Sequence, residues 1–129
     1  QIVNLLMELQ KKRKISVIFI SHNLSLISNI ADRIIVMYGG LIMEEGTTKE
    51  VLENPLHPYT KALLKSLPQF GEHYTEKKLF SIEGNIPNPL RPEPGCPFAP
   101  RCSLVTDFCK IKIPEIETYP HKSRCILKT

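Results

Sequence analysis

The stretch IFISHNLSLISNIADRIIVMYGG, from Ile18 to Gly40, contains the pattern on which the predicted fold depends. Residues 15–20 are nearly all apolar and rich in β-branched side chains, which predicts a strand covered on both faces, as in a parallel sheet. Beyond His22, apolar residues return at helical spacing. An amphipathic pattern over residues 1–13 predicts a helix with one buried face before the strand. Helix, strand and helix form the repeating unit of a layered α/β fold, so α/β is the predicted class.

The residues that follow this stretch predict a hairpin and two short helices. Residues 33–38 form a second apolar strand, and a Gly-Gly pair turns it back into an extended segment over residues 41–45. A capping box at Thr47 and Glu50 then predicts one helix. Another helix is predicted over residues 59–67, because a proline suits its first turn.

The composition is that of an ordinary globular chain. Among 129 residues, 42% are hydrophobic and 23% are charged, and the formal net charge is +4. The one dense basic cluster, Lys11 to Lys14, closes the predicted first helix, where cations are favourable. We therefore expect a solvated helix end there, with a nucleic-acid interface as the less favoured alternative. No signal-peptide pattern is present and no apolar run approaches the ~18 residues of a membrane span, so any membrane role is expected to be peripheral.

Three segments are predicted along the chain. Residues 1–67 form the α/β part, residues 68–94 a proline-rich linker with an extended path, and residues 95–129 a loop-rich region that holds all the cysteines. The last segment has few apolar residues with which to build a core of its own. We therefore expect it to need a staple such as a metal or disulfides.

The four cysteines follow the pattern C-x5-C-x6-C-x15-C, at Cys96, Cys102, Cys109 and Cys125. Clustered cysteines in a chain without a secretion signal favour metal binding or redox chemistry over structural disulfides. Structural zinc sites usually contain pairs of cysteines separated by two to four residues, a spacing that this segment lacks. Zinc with His121 as a further ligand, unliganded thiols and two disulfides remain as alternatives.

The stretch SVIFISHNLSLISNIADRIIVMYGGLIMEEGT resembles the last part of an ABC-transporter ATPase domain. The matching motifs occur in the same order and spacing: Ser21-His22, Ala31-Asp32-Arg33, Gly39-Gly40 and Glu45-Gly46-Thr47. The resemblance implies that His22 is the switch histidine, which reaches the γ-phosphate of ATP held between two ATPase subunits and helps to position the attacking water. The family commonly has Asp after this histidine, where this chain has Asn23.

Two further motifs resemble the C-terminal region of oligopeptide and dipeptide importer ATPases: ENPLHPYT, residues 53–60, and the four-cysteine tail. The resemblance implies a 4Fe–4S cluster, or alternatively Zn²⁺, on Cys96, Cys102, Cys109 and Cys125. It implies ATP and Mg²⁺ as cofactors of the parent protein. The implied partners are a second ATPase subunit and membrane permease subunits, with a peptide-binding protein acting indirectly and no nucleic acid. The implied location is the cytoplasmic face of the inner membrane.

The sequence contains no GxxxxGK[ST] phosphate loop, no signature motif and no apolar strand ending in Asp-Glu. We therefore expect this stretch by itself to be inactive as an ATPase, and most of the ATPase domain to lie upstream. His57, within the ENPLHPYT motif, is expected to be structural. The alternative function is an independent iron–sulfur or zinc-binding module with no ATPase role.

Overall fold

The computed structural model of the chain describes residues 2–67, 81–88, 94–116 and 120–127. Two compact units are present, Gln1–Asp32 and Arg33–Thr129. The predicted linker over residues 68–94 and the predicted cysteine-rich segment lie partly outside the described residues. Among the helices that are described, none has the length and apolar character needed to span a bilayer.

The first unit contains two helices. The helix α1 covers Ile2–Arg13, as predicted, but none of its residues is buried, so the predicted buried face is wrong for this chain. The helix α2 covers Leu24–Ser28 and is shorter than its apolar spacing predicts. Asn23 caps α2, because its Oδ1 accepts the N–H of Leu26 at 3.1 Å.

The strand predicted over residues 15–20 is wrong. The backbone there has no regular secondary structure, and Ile18 and Ile20 are 92% and 93% exposed. A strand needs a neighbour that pairs with its N–H and C=O groups. Within the described residues, the strands pair only with one another in the second unit. The apolar run marks a segment suited to burial, but no described residue supplies the pairing that would make it a strand.

The second unit is organised around a three-stranded antiparallel sheet, and the described residues contain no parallel sheet of the kind that residues 15–20 predict. The strands β1 (Arg33–Tyr38) and β2 (Leu41–Thr47) form the predicted hairpin, and β3 (Lys122–Ser123) pairs with β2. Gly39 and Gly40 make the turn, with φ angles of 56° and 80° in the left-handed region that glycine adopts at little cost. The cysteine-rich segment therefore supplies the third strand.

Two helices follow the hairpin, as predicted. The helix α3 covers Thr48–Glu53 and begins with the predicted capping box, in which Thr47 Oγ1 accepts the N–H of Glu50 at 3.3 Å and Glu50 Oε2 accepts the N–H of Thr47 at 2.8 Å. The helix α4 covers Pro58–Lys65 and has the proline in its first turn. The cysteine-rich segment adds two short elements, a 3₁₀ turn at Ala99–Arg101 and α5 at Asp107–Ile111.

One core joins the hairpin, α4 and the cysteine-rich segment. Tyr38, Met43 and Phe98 are buried at its centre, and the rings of Tyr38 and Phe98 meet edge-on with centroids 5.4 Å apart. The ring centroid of Tyr59, in α4, lies 5.2 Å from the ring centroid of Phe98. Ile82, from the predicted linker, packs against the same cluster. The cysteine-rich segment thus shares the core of the hairpin, which its own composition does not reveal.

Candidate functional site

The four cysteines line a single cavity in the second unit, which we call the four-cysteine cavity. Cys96, Cys102, Cys109 and Cys125 all contribute to its wall, and none of them forms a disulfide. The rest of the lining is apolar except for His57 and an arginine. Cys125 is far from the other three in sequence, so the tertiary fold brings the thiols together.

Three of the cysteines belong to one loop, and the closure of this loop depends on Gly95. The N–H of Cys96 donates to the carbonyl oxygen of Cys109 at 2.7 Å. Gly95 has a φ of 90°, and a Cβ atom there would lie 2.3 Å from that same carbonyl oxygen. Glycine alone allows so close an approach of two backbones. Cys102 ends the 3₁₀ turn, with its N–H donating to the carbonyl oxygen of Ala99 at 3.2 Å.

The fourth cysteine is positioned by the sheet rather than by the loop. The residues just before Cys125 form β3, in which Ser123 lies opposite Glu44 of β2. Arg124 donates its backbone N–H to the carbonyl oxygen of Met43 at 2.8 Å, and its guanidinium donates to two further carbonyl oxygens. The four-cysteine cavity is therefore built from two separately anchored pieces of chain.

A fully buried carboxylate, Glu44, forms the centre of a polar cluster that reaches this cavity through His57. The two carboxylate oxygens accept the N–H groups of Leu56 at 2.8 Å and His57 at 2.9 Å. Oε1 also lies 2.7 Å from Nε2 of His121. Burying a carboxylate is costly unless it is hydrogen-bonded, and these contacts offset that cost. His121, the alternative zinc ligand, is thus engaged by Glu44.

Glu44 is not predicted as a functional residue from the sequence, and a β-bulge explains why. A regular hairpin with a two-residue turn would place Met43 opposite Val36. The register instead shifts between Val36 and Met37, so that Val36 pairs with Glu44. As a result both Met43 and Glu44 are 0% exposed. No residue pattern in β2 signals this bulge.

Burial determines the state of the thiols. Desolvation raises the pKa values of Cys96, Cys102 and Cys125, and nearby thiols raise them further. These thiols are therefore protonated at pH 7 in the metal-free chain, which makes them weak nucleophiles. Because the thiolate is the metal ligand, loading a metal would release their protons.

The donor set fits a metal centre, although the thiols are not spaced as in a formed site. Across the described parts of the chain, no three His, Cys, Asp or Glu side chains are grouped closely enough to hold an ion. The enclosed space is about 20 Å³, which is room for about one water molecule. Four thiolates satisfy either one tetrahedral Zn²⁺ or a 4Fe–4S cluster. A single ion would require the thiols to move inward, and a four-iron core would require the cavity to widen.

The basic residues near the cysteines have partners of their own. Arg101 donates to the hydroxyl of Tyr38 at 3.0 Å and to two carbonyl oxygens of the preceding extended segment. Lys110 and Lys122 each form an ion pair with an acidic side chain. Of these cations and Arg124, only Arg124 lines the four-cysteine cavity. Arg101 instead fastens the cysteine loop to the hairpin.

His22 lies in the first unit and is exposed. The hydroxyl of Ser21 accepts the N–H of Asn23 at 3.0 Å, and Asn23 in turn caps α2. His22 therefore lies directly before the cap of a helix, as its position in the sequence predicts. The sequence-predicted histidine and cysteine sites belong to different units of the chain.

Comparison with known proteins finds relatives that align with nearly the whole chain. The dipeptide transport ATP-binding protein DppD of Haemophilus influenzae is 47% identical over 116 residues, which are 90% of this chain and 34% of that protein. The oligopeptide transport ATP-binding protein OppF of Salmonella typhimurium is 41% identical over 128 residues, which are 98% of this chain and 38% of that protein. The chain thus spans between a third and two fifths of the length of these relatives.

A family description covers the part of the chain that contains most of the candidate site. The family described as "Oligopeptide/dipeptide transporter, C-terminal region" matches residues 43–109. This match contains Glu44, the ENPLHPYT motif and three of the four cysteines. Because it extends over half of the 129 residues, the chain belongs to the family of oligopeptide/dipeptide transporter C-terminal regions.

Proposed function

We propose that this chain is part of the ATP-binding subunit of an ABC importer, which couples ATP hydrolysis to the uptake of oligopeptides or dipeptides, and that its cysteines hold one metal centre. Family membership supports the transport role, and the relatives are transport ATP-binding proteins for dipeptides and oligopeptides. The metal centre rests on a single observation, the convergence of four free thiols on one cavity.

A 4Fe–4S cluster is the proposed occupant of the four-cysteine cavity. Cys96, Cys102, Cys109 and Cys125 would be its ligands, since four thiolates complete the ligand set of such a cluster. The cysteine spacings of five and six residues leave enough loop to surround a bulky core. A bound cluster supplies covalent links between the cysteine loop and β3, together with a one-electron redox couple. Because burial raises the pKa values of Cys96, Cys102 and Cys125, loading is favoured as the pH rises.

Zn²⁺ is the second candidate, and the small enclosed space favours it. Space of about 20 Å³ is room for about one water molecule, so a single ion demands less widening of the cavity than a four-iron core. Zinc would link the same two pieces of chain without redox activity. It would also leave His121 on Glu44, because four thiolates already complete a tetrahedral site.

We further propose that His22 acts in the complete subunit. An exposed imidazole at the start of α2 can donate one hydrogen bond to a phosphate oxygen. ATP, Mg²⁺, a second ATPase subunit and membrane permease subunits would complete the site at the cytoplasmic face of the membrane. A peptide-binding protein would act indirectly, by delivering the substrate.

Metal analysis of the chain, purified without oxygen, tests the metal centre. About four irons and four sulfides per chain would support the cluster, and about one zinc without sulfide would support the zinc alternative. The absence of metal, with four titratable thiols, would refute both. Cys109→Ser should lose the metal, whereas Ser103→Ala, next to Cys102 but not itself a ligand, should retain it.

Peptide uptake and ATP hydrolysis by the complete subunit test the transport role. His22→Ala should reduce ATP hydrolysis by about 100-fold or more, the usual loss when a proton-handling or positioning side chain is removed. Asn23→Asp is the matched control, because it retains the helix cap beside His22 and should leave hydrolysis nearly unchanged. Full hydrolysis and uptake by the His22→Ala variant would refute the role of His22, whereas a complete subunit that supports no peptide uptake would favour an independent metal-binding module.

A further inference from the structure

One side chain beside the four-cysteine cavity makes a contact that its place in a helix does not require. Thr106 lies directly before α5, at the N-cap position. A threonine hydroxyl there usually accepts a backbone N–H of the first turn, but this one forms no such bond. Its Oγ1 instead lies 3.3 Å from Sγ of Cys109, which is one of the four proposed ligands.

We propose that Thr106 is a positioning residue of the metal centre, whose hydroxyl donates a hydrogen bond to the sulfur of Cys109 when that sulfur binds metal as a thiolate. The inference rests on the proposed function, because it assigns Thr106 to the metal centre described there. The contact between Oγ1 and Sγ is itself a feature of the fold.

The backbone at the start of α5 leaves the hydroxyl of Thr106 available for this contact. The N–H of Cys109, the third residue of the helix, is a group that a capping hydroxyl normally binds. It donates instead to the backbone carbonyl oxygen of Thr106 at 3.1 Å. Because a side-chain cap normally stabilises a helix, the needs of α5 do not explain why the hydroxyl turns to the sulfur.

Three contacts hold Cys109 in the wall of the four-cysteine cavity, and Thr106 supplies two of them. The backbone N–H and the sulfur of Cys109 both meet Thr106, and the carbonyl oxygen of Cys109 accepts the N–H of Cys96 at 2.7 Å. Cys109 is the buried member of the four cysteines. Cys109 lines the cavity and Thr106 does not. The hydroxyl therefore holds the sulfur without occupying space that a metal would need.

Metal binding fixes the direction of the hydrogen bond. In the free thiol either atom could donate. A metal-bound thiolate has lost its proton and can only accept, so the hydroxyl must be the donor. Such a bond orients the ligand, and it withdraws electron density from the sulfur, which stabilises the more negative, reduced form of an iron–sulfur cluster. Thr106 should therefore slow the loss of metal and raise the reduction potential of a cluster.

Three substitutions of Thr106 separate donation to the sulfur from a role in starting α5. Thr106→Val replaces the hydroxyl with a methyl group of similar size, and Thr106→Ser retains the hydroxyl. Thr106→Asp provides a good N-cap, but its carboxylate has no proton to donate. Ser103→Ala is the matched control, because it removes a hydroxyl from the same loop, next to Cys102. Each chain is purified without oxygen, loaded with iron and sulfide or with zinc, and mixed with an excess of EDTA.

Thr106→Val and Thr106→Asp should both release metal about tenfold faster than the unaltered chain, as expected when a group that orients a metal ligand is removed. Thr106→Ser and Ser103→Ala should release it at close to the unaltered rate. Equal rates for Thr106→Val and Thr106→Ser would overturn the proposal. Slow release from Thr106→Asp would overturn it too, since capping of α5 would then be enough. If Thr106→Val unfolds, Thr106→Asp decides in the same way, with fast release in support.

The reduction potential of the iron-loaded chain provides a readout that a purely structural role would not change. Thr106→Val should lower the midpoint potential, by a tenfold change in the ratio of reduced to oxidised cluster, or about 59 mV for one electron. Thr106→Ser should restore the potential of the unaltered chain. An unchanged potential in Thr106→Val would show that the hydroxyl does not donate to the sulfur.

The unaltered chain in the same experiment distinguishes failure of this inference from failure of the proposed metal centre. If it binds neither iron nor zinc, the metal centre is refuted and the role of Thr106 is refuted with it. If it binds metal and Thr106→Val behaves like Thr106→Ser, the metal centre stands and only the role of Thr106 is overturned.

Discussion

Two apolar runs of similar composition adopt different structures in this molecule. Residues 15–20, in the first unit, have no regular structure and are mostly exposed, whereas residues 33–38, in the second unit, form β1 with Ile34 and Val36 buried. The second run is followed at once by a Gly-Gly turn and by β2, which pairs with it. The first run has no such partner among the described residues.

The contrast shows that an apolar pattern reports suitability for burial, while pairing decides whether a strand forms. Even β1 supports this reading, because Ile35 and Met37 on its outward face are 55% and 58% exposed. The second unit gains its stability from contacts between distant segments. The first unit relies on local helix formation, which is marginal for helices this short. Substitutions in the second unit should therefore change the free energy of unfolding more than substitutions in the first unit.

The largest effect is expected at Gly95, where the second unit is most tightly closed. Gly95→Ala would place a Cβ atom 2.3 Å from the carbonyl oxygen of Cys109, so the cysteine loop must open, at a cost of about 3–5 kcal/mol. Urea unfolding, monitored by tyrosine fluorescence, measures this loss of stability in the second unit, because all four tyrosines lie after residue 32. Gly40→Ala is the control: its φ is 80° but no atom lies within 4 Å, so about 1–2 kcal/mol is expected. Equal losses would show that the contact with the loop is unimportant.

Acid should destabilise the second unit through His57. Burial lowers the pKa of this residue from 6.5 to about 4, against the opposing effects of Glu44 and the backbone of Arg124. Between these values the unfolded chain binds a proton that the folded chain does not. The stability that His57 contributes is therefore complete above pH 6.5 and is lost as the pH falls to 4, a change of about 3 kcal/mol. Urea unfolding at a series of pH values should show this slope, and His57→Gln, which cannot titrate, should remove most of it.

A smaller loss is expected when the charge of Glu44 is removed. Glu44→Gln replaces one acceptor oxygen with a donor that faces N–H groups, which should cost about 2–3 kcal/mol. Glu45→Gln is the matched control on the same strand, since Glu45 forms partly exposed ion pairs with Arg33 and Lys122 and should cost less than about 1 kcal/mol. Both values come from the tyrosine-monitored urea transition. If the two substitutions cost the same, the buried cluster does not organise the second unit.

The smallest effect is expected in the first unit. Asn23→Ala removes the cap of α2 and should reduce the stability of this helix by about 0.5–1 kcal/mol. Backbone chemical shifts of residues 24–28 report the change, while the tyrosine signal of the second unit should stay the same. Asn23→Asp keeps the accepting oxygen and should preserve the helix. A changed tyrosine transition in Asn23→Ala would show that the two units are energetically coupled.

Local signals in the sequence correctly predicted the elements that depend on neighbouring residues. The hairpin follows from Gly39-Gly40, the start of α3 from the capping box at Thr47 and Glu50, and the start of α4 from Pro58. Each of these elements depends on residues within a few positions of one another, so the sequence alone contains the interaction that forms it. The candidate ligands were also named from the sequence, because cysteine chemistry is a property of the residue type. Their role as metal ligands stays a prediction.

The sequence by itself therefore determined which residues are candidate ligands and where short elements begin. Only the tertiary structure decided that β3 joins β2, that a bulge turns Glu44 inward, and that His57 is buried in the wall of the four-cysteine cavity. The physical reason is that these features depend on pairing and burial between segments far apart in the chain. A carboxylate or imidazole looks the same in sequence whether it is solvated or enclosed. Its surroundings alone give it a structural or positioning role.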